Sequence, residues 1–167
     1  MVACSVLPVA SALHGCEAID QLVGSLRPSL EAVGARTVDL VDATDPGLPL
    51  AVLVLTRGTE GLILAAAAER RRQTSGEPVL HHPPGPQPLP AALETLARLQ
   101  RDGHLGRIVM VRPDPSATRP DAELATALDD LSVWHALRSA RLGLLGAPSD
   151  GLVASTPDRE ALHRGGA

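Results

Sequence analysis

Four amino acids are absent from this 167-residue chain: lysine, asparagine, phenylalanine and tyrosine. A P-loop requires a lysine on its phosphates and a Schiff-base enzyme requires a lysine amine, so both classes are excluded. With one Trp and no Phe or Tyr, the chain also lacks the aromatic side chains on which nucleic-acid bases stack. Its net charge is −4 and it has no basic block, so we expect no nucleic-acid partner.

Cysteine is scarce as well. Cys4 and Cys16 form neither a disulfide framework nor a CxxC metal knuckle, so we expect reduced thiols and a cytoplasmic protein. Residues 13–16 (LHGC) faintly resemble a lipoprotein cleavage box, but no positive charge precedes the apolar run. No apolar stretch approaches the roughly 20 residues of a membrane span, so we expect no membrane partner.

Residues 48–60, LPLAVLVLTRGTE, organise the predicted fold. The unbroken apolar run at 50–55 predicts a strand buried on both faces, as at the centre of a parallel sheet. Thr59 is predicted as the N-cap of a helix that begins with Glu60 and runs to about residue 72. The turn between them lies at the carboxyl edge, where open α/β sheets bind ligands. The helix positions expected to face the sheet are Leu62, Ile63, Ala66 and Ala67.

The other apolar runs alternate with amphipathic stretches. Strands are predicted at residues 2–9, 37–41, 78–82, 107–111 and 142–145, and loops at 42–49 and 83–90. Helices are predicted at residues 18–33, at 90–102 and from Asp121, the first of them kinked or split in two at Pro28. This alternation predicts an α/β fold with a doubly wound, mostly parallel sheet, a flavodoxin/Rossmann-like three-layer sandwich. Residues 1–141 form the expected amino-terminal α/β domain, and residues 142–167 start a second α/β domain or add a closing strand with a frayed tail.

Polar residues in the predicted carboxyl-edge turns are the candidates for contact with a substrate. None of them dictates a reaction alone, so no catalytic residue is assigned. The candidates are Thr59, Glu60, His81, His82, Ser149 and Asp150, with Ser11, His14 and residues 114–116 at the same predicted edge.

Structural roles compete with each of these candidates. Glu60 would repel an anion at the start of its helix, so helix capping is the favoured interpretation there. His81 and His82 are adjacent on a strand and therefore face opposite sides, and no HxH or HxxxH spacing is present, so no metal site is predicted. Ser149 is the expected N-cap of a short helix. The chain has no GxGxxG and no GxSxG motif, which disfavours dinucleotide binding and α/β-type serine hydrolysis.

Three blocks of sequence carry a family resemblance. LVLTRGTEGLIL (53–64) resembles a strand, T-G-G-T-E and a helix. HHPPGPQPLPAALETLARLQRDG (81–103) resembles A-H-P-x-x-N-S-L-P-A-A-L-E with a following helix, and RLGLLGAPSDGLVAS (141–155) resembles a strand with G-x-P-S-D-W-L-[IV]-A-S. Together they are similar to the amino-terminal region of L-fucose isomerase-like and L-arabinose isomerase-like sugar isomerases. The resemblance covers residues 48–155.

The resemblance implies the amino-terminal domain of an aldose–ketose isomerase-like protein of carbohydrate metabolism, not catalytic alone. In that family a divalent metal, usually manganese, holds the open-chain sugar, and two carboxylates move a proton through an enediol. These groups lie in later domains, so no cofactor is assigned to this segment. A complete enzyme of this kind would be an intramolecular oxidoreductase acting on a sugar or sugar-like ligand as a homo-oligomer.

This sequence departs from the family pattern at three carboxyl-edge turns. Arg57 replaces the first glycine of T-G-G-T-E, Gln87-Pro88 replaces the Asn-Ser pair, and Gly151 replaces the tryptophan. A stand-alone, non-catalytic small-molecule-binding or regulatory α/β module therefore remains the alternative prediction.

Overall fold

The computed structural model describes residues 4–40, 42–44, 47–73, 79–82, 88–103, 106–114, 116 and 120–140. Five strands and four α-helices alternate along these residues, with one 3-10 turn at Asp42–Thr44. The strands are β1 (Cys4–Val9), β2 (Ala35–Thr37), β3 (Leu50–Val54), β4 (Val79–His82) and β5 (Ile108–Met110). The helices are α1 (Cys16–Ala32), α2 (Glu60–Gln73), α3 (Pro88–Arg101) and α4 (Ala122–Ser139).

The five strands form one parallel sheet in the order β2-β1-β3-β4-β5. β3 lies at its centre, where every residue from Leu50 to Val54 is buried, as its unbroken apolar run predicts. Asp121 caps α4, accepting hydrogen bonds from the N–H groups of Glu123 (2.9 Å) and Leu124 (3.2 Å). The predicted α/β class with a parallel sheet is confirmed.

Two hydrophobic clusters lie on opposite faces of the sheet because successive strand residues point to opposite sides. One cluster joins α1 and α4 to alternate strand positions and contains Cys4, Val6, Leu26, Leu30, Leu53, Val109, Leu124 and Leu128. The other joins α2 and α3 to the intervening positions and contains Leu7, Val9, Val52, Val54, Ile63, Ala66, Ala92 and Leu99. Cys4, at the start of β1, is buried in the first of these clusters.

α1 is one continuous helix across Pro28. Of the two predicted alternatives, a kink or a split into two shorter helices, the split is therefore wrong. Proline costs a helix interior about 3 kcal/mol. Here that cost is offset by the burial of Leu26 and Leu30 against the sheet. The neighbouring Ser29 hydroxyl also donates to the Arg112 carbonyl (2.9 Å), which attaches this part of the helix to the segment after β5.

Two other predicted boundaries are corrected. β2 lies at Ala35–Thr37 rather than 37–41, because Gly34, at φ 77°, ends the preceding turn and lets the strand start at once. α3 begins at Pro88, inside the predicted loop. A proline needs no N–H partner in the first turn of a helix, so Pro88 and Pro90 both fit there.

Within the described residues, no helix is long and apolar enough to cross a membrane. The predicted strand at 142–145, the proposed domain boundary after residue 141, and Ser149 and Asp150 lie outside the described residues. Those assignments stay predictions.

Candidate functional site

Hydrogen bonds join the carboxyl ends of β1 and β3. The order β2-β1-β3 places the reversal of strand order between these two strands, and open α/β sheets bind ligands at such a point. Here the Ser11 N–H donates to the Thr56 hydroxyl (2.7 Å), and the Thr59 hydroxyl donates to the Thr56 carbonyl (3.1 Å). We call Ser11, Thr56, Gly58 and Thr59 the β1–β3 junction. Within this junction the hydroxyl and the carbonyl of Thr56 each accept a hydrogen bond.

Thr59 directly precedes α2, the position predicted for the N-cap, and its carbonyl accepts a hydrogen bond from the Ile63 N–H (3.0 Å). Its side chain is fully buried, and its hydroxyl bonds backwards to Thr56. The hydroxyl of this candidate is therefore used within the protein.

Gly58 adopts φ 75°, a backbone conformation that side-chain-bearing residues rarely adopt. A Cβ at this position would lie 3.9 Å from the Ser11 hydroxyl oxygen, an ordinary contact. Backbone conformation, rather than lack of space, therefore explains the glycine in this turn.

The remaining candidates are spread along the chain. Glu60, half-buried, is the first residue of α2 beside the junction. His81 and His82 are the last two residues of β4, the strand next to β3. Ser149 and Asp150 lie beyond the described residues. The structure thus places Thr59 and Glu60 together, and contact of any candidate with a substrate stays a prediction.

On the other side of β1 the same edge of the sheet is open. β2 ends at Thr37, opposite Val6, whereas β1 continues to Val9 beside β3. The Val38 N–H donates to the Val6 carbonyl (2.9 Å), and β1 then runs on without β2. Pro8 lies in this stretch. It has no N–H, so it leaves no backbone donor unpaired at an exposed edge.

A groove with a volume of about 1090 Å³ lies beyond the end of β2, and we call it the β1–β2 groove. Its size is similar to that of typical small-molecule sites, roughly 300–1,000 Å³. The ends of β1 and β2 and one side of α1 and α2 form its walls. The lining residues are 7–10, Ile19, Asp20, Val23, 37–40, Leu62, Ala65, Ala66 and Glu69.

Most of these lining side chains are apolar. Leu7, Val9 and Val38 are buried members of the cluster on the α2 side and contribute the floor. At the rim, Leu40 is 57% exposed and Leu62 is 53% exposed, so two large apolar side chains of the groove contact solvent. A ligand that covered them would gain hydrophobic free energy.

The prediction that Leu62 faces the sheet is wrong, because this side chain is largely exposed. Ile63, Ala66 and Ala67 are buried, as their three- and four-residue spacing requires. Leu62 precedes Ile63 by about 100° of helical rotation and therefore turns towards the groove instead.

The charged side chains along the groove are carboxylates from three elements. Asp20 belongs to α1, Asp39 follows β2, and Glu69 belongs to α2. Asp39 accepts a hydrogen bond from the Asp42 N–H (2.8 Å), which fixes its position. The described lining contains no Arg or His.

The sequence predictions did not identify these residues as a site, because no motif marks them. Two signals point to them in retrospect. Pro8 inside an apolar strand indicates an unpaired strand edge. Leu62, one position off the buried stripe of α2, indicates an apolar side chain that does not pack on the sheet.

No protein-family model, curated protein or solved structure matches this chain. Among the residues that the structure describes, no three His, Cys, Asp or Glu side chains come together to hold a metal ion. The described residues therefore do not fit the manganese that the resemblance implies for a complete enzyme. What the groove offers chemically is apolar surface for burial and carboxylates for hydrogen bonds or charge pairing.

Proposed function

We propose that this chain is a flavodoxin-like, doubly wound α/β domain that binds a small molecule in the β1–β2 groove and does not transform it. The observation that carries the proposal is the groove itself, at the carboxyl end of a parallel sheet. The strand order β2-β1-β3-β4-β5 and the apolar clusters on both faces support the flavodoxin-like assignment.

The apolar rim supports binding rather than a purely structural role. Leu40 and Leu62 each leave more than half of their surface in water. Covering apolar surface gains about 25 cal/mol per Å². At the neighbouring β1–β3 junction the Thr56 and Thr59 hydroxyls already take part in hydrogen bonds within the chain, so the groove is the better candidate for ligand contact at this edge.

Blocking the groove tests this proposal. Ala65 and Ala68 are both exposed on α2, but only Ala65 lines the groove. We expect Ala65→Trp to abolish binding of the neutral dye Nile red, measured by its fluorescence increase, and Ala68→Trp to leave it unchanged. Equal binding by both variants, or no binding by the unmodified chain, would contradict the proposal.

A second candidate function is that of an amino-terminal domain of a sugar isomerase-like protein. The observation that favours it is Gly58, whose φ of 75° falls at the second glycine position of the T-G-G-T-E pattern. A turn that requires a glycine at that position supports the resemblance in that block.

The isomerase candidate is tested in a complete enzyme containing this segment. Replacing Thr59, Glu60, His81 and His82 with alanine should raise KM or lower kcat if this domain helps to close the active site. Unchanged kinetic constants in a folded variant would exclude that role. The mass of the polypeptide made from the intact gene would show whether such an enzyme exists.

A further inference from the structure

The β1–β2 groove combines apolar walls with polar side chains that are mostly acidic. Four of its side chains carry polar atoms: Asp20, Thr37, Asp39 and Glu69. Three of the four end in carboxylates, and they come from separate elements around the opening. We infer that the groove binds an organic cation with an aliphatic body, of which a primary alkylammonium ion is the simplest form. This inference rests on the proposed binding function.

The negative charge at the rim is assigned to Asp20 and Asp39. Asp20 is exposed on α1, and Asp39 is held by the Asp42 N–H, which occupies only one of its oxygens. Glu69 already interacts within the chain, so its charge is not needed for the ligand. Carboxylates on both sides of an apolar groove attract a cation and repel an anion.

The backbone at the groove adds another acceptor. The Val6 carbonyl points towards β2, because it accepts the Val38 N–H (2.9 Å). Backbone groups two residues apart along a strand face the same side, so the Pro8 carbonyl also points to the β2 side, where the groove lies. Among the described residues, none donates to it. An ammonium group supplies up to three donors for this carbonyl and the two carboxylates.

The same features disfavour other ligand classes. A phosphate or carboxylate compound would face like charges at the opening without a described cation to pair with. A polyol could donate to the carboxylates but would leave the exposed Leu40 and Leu62 uncovered by apolar surface. A cation with an aliphatic body matches both the walls and the rim.

Three ligands with the same alkyl chain length but different head groups separate head-group preference from hydrophobic binding. We would measure binding of n-octylammonium, 1-octanol and octanoate to the full chain by isothermal titration calorimetry, below the concentrations at which they aggregate. Octylammonium should bind about tenfold more tightly than octanol, because its head group can pair with the carboxylates. Octanoate should bind most weakly, because the same carboxylates repel its charge. Added salt should reduce these differences.

A double variant tests the assigned carboxylates. Asp20→Asn with Asp39→Asn removes two charges, and the amide oxygen introduced at position 39 can still accept the Asp42 N–H. The expected result is a loss of the head-group preference to within about twofold, with octanol binding unchanged. The matched control, Glu31→Gln with Asp129→Asn, removes two exposed charges that do not line the groove and should retain the preference.

The possible outcomes distinguish this inference from the proposed binding function on which it rests. Octanol binding as tightly as octylammonium overturns the inference but leaves a binding groove. Loss of the preference in the control variant as well assigns it to net charge and overturns the role of Asp20 and Asp39. Failure of all three ligands to bind overturns both the inference and the proposed function.

Discussion

The two sides of β1 differ at the carboxyl edge of the sheet. Towards β3, the β1–β3 junction closes the edge with hydrogen bonds between Ser11, Thr56 and Thr59. Towards β2, no comparable bond closes the edge among the described residues, because β2 ends at Thr37 and the β1–β2 groove follows. The β1–β3 junction, whose polar residues suggested a functional site, is thus the closed side. The β1–β2 groove, which is mostly apolar and carries no motif, is the open side.

The difference has a physical cause. Polar groups in a turn at the centre of a sheet must find partners, since an unpaired buried donor or acceptor costs about 1–3 kcal/mol. Thr56 and Thr59 are buried and satisfy that requirement within the protein. Apolar side chains at an edge carry no such requirement, so Leu40 and Leu62 can stay exposed and contact a ligand.

The largest loss of stability should come from replacing Ile63, the residue next to Leu62 on α2. Ile63 is fully buried in the core. Ile63→Ala should lower the free energy of unfolding by about 2–5 kcal/mol, because it removes buried methyl groups and leaves a cavity. Urea denaturation would measure the shift. The matched variant Leu62→Ala should change the midpoint little, and an equal loss in both variants would contradict the division between core and groove.

Breaking the β1–β3 junction should have the next largest effect. Thr56→Val keeps the shape of the side chain but removes the oxygen that accepts the Ser11 N–H. The unpaired donor should cost about 1–3 kcal/mol in unfolding free energy. Thr56→Ser retains the hydroxyl and should recover most of that loss. A Val variant as stable as the Ser variant would show that the hydrogen bond does not close the edge.

A smaller effect is expected from the backbone of the same turn. Gly58→Ala should destabilise the chain by about 1–2 kcal/mol, the cost of a left-handed conformation for a residue with a Cβ. Gly61, within α2, is the control, since Gly61→Ala should stabilise the helix by up to about 1 kcal/mol. Thermal unfolding should move in opposite directions for the two alanine variants. A shift in the same direction would contradict the assigned strain.

The smallest effect on stability should accompany a clear effect on binding. Leu62→Ala should change the unfolding free energy by less than about 0.5 kcal/mol, as is usual for exposed positions. Nile red affinity should fall, because the variant removes apolar surface from the groove. Leu137→Ala, also at an exposed leucine but on α4 away from the groove, should leave dye binding unchanged. Equal dye affinity in both variants would place binding elsewhere.

Much of the architecture follows from apolar patterning alone. The apolar run at residues 50–55 predicted a central buried strand, and the structure places β3 there, at Leu50–Val54. A helix was predicted from Asp121, and this residue caps α4. These predictions succeeded because a strand buried on both faces is apolar at every position, and a helix buried on one side has apolar residues at three- and four-residue steps. Both patterns can be read from the sequence.

The failures and omissions concern features that local patterns do not record. The position of β2 depends on pairing with β1 from Cys4 to Val6, a contact between distant parts of the chain. The continuity of α1 across Pro28 depends on tertiary packing of its buried side. The groove arises from the unequal lengths of two paired strands, which no single segment of sequence specifies.

The two cysteines lie in contrasting places and provide a built-in chemical reporter. Cys16 is exposed at the start of α1, whereas Cys4 is 1% exposed in β1, with its sulfur 3.5 Å from the Pro49 carbonyl. A thiol reagent should therefore modify one sulfur rapidly in the native protein and both after denaturation. The rate of the slow reaction at Cys4 reports how often the start of β1 becomes accessible to the reagent. A compound that slows it would reveal itself as a ligand of the folded chain, without any label attached.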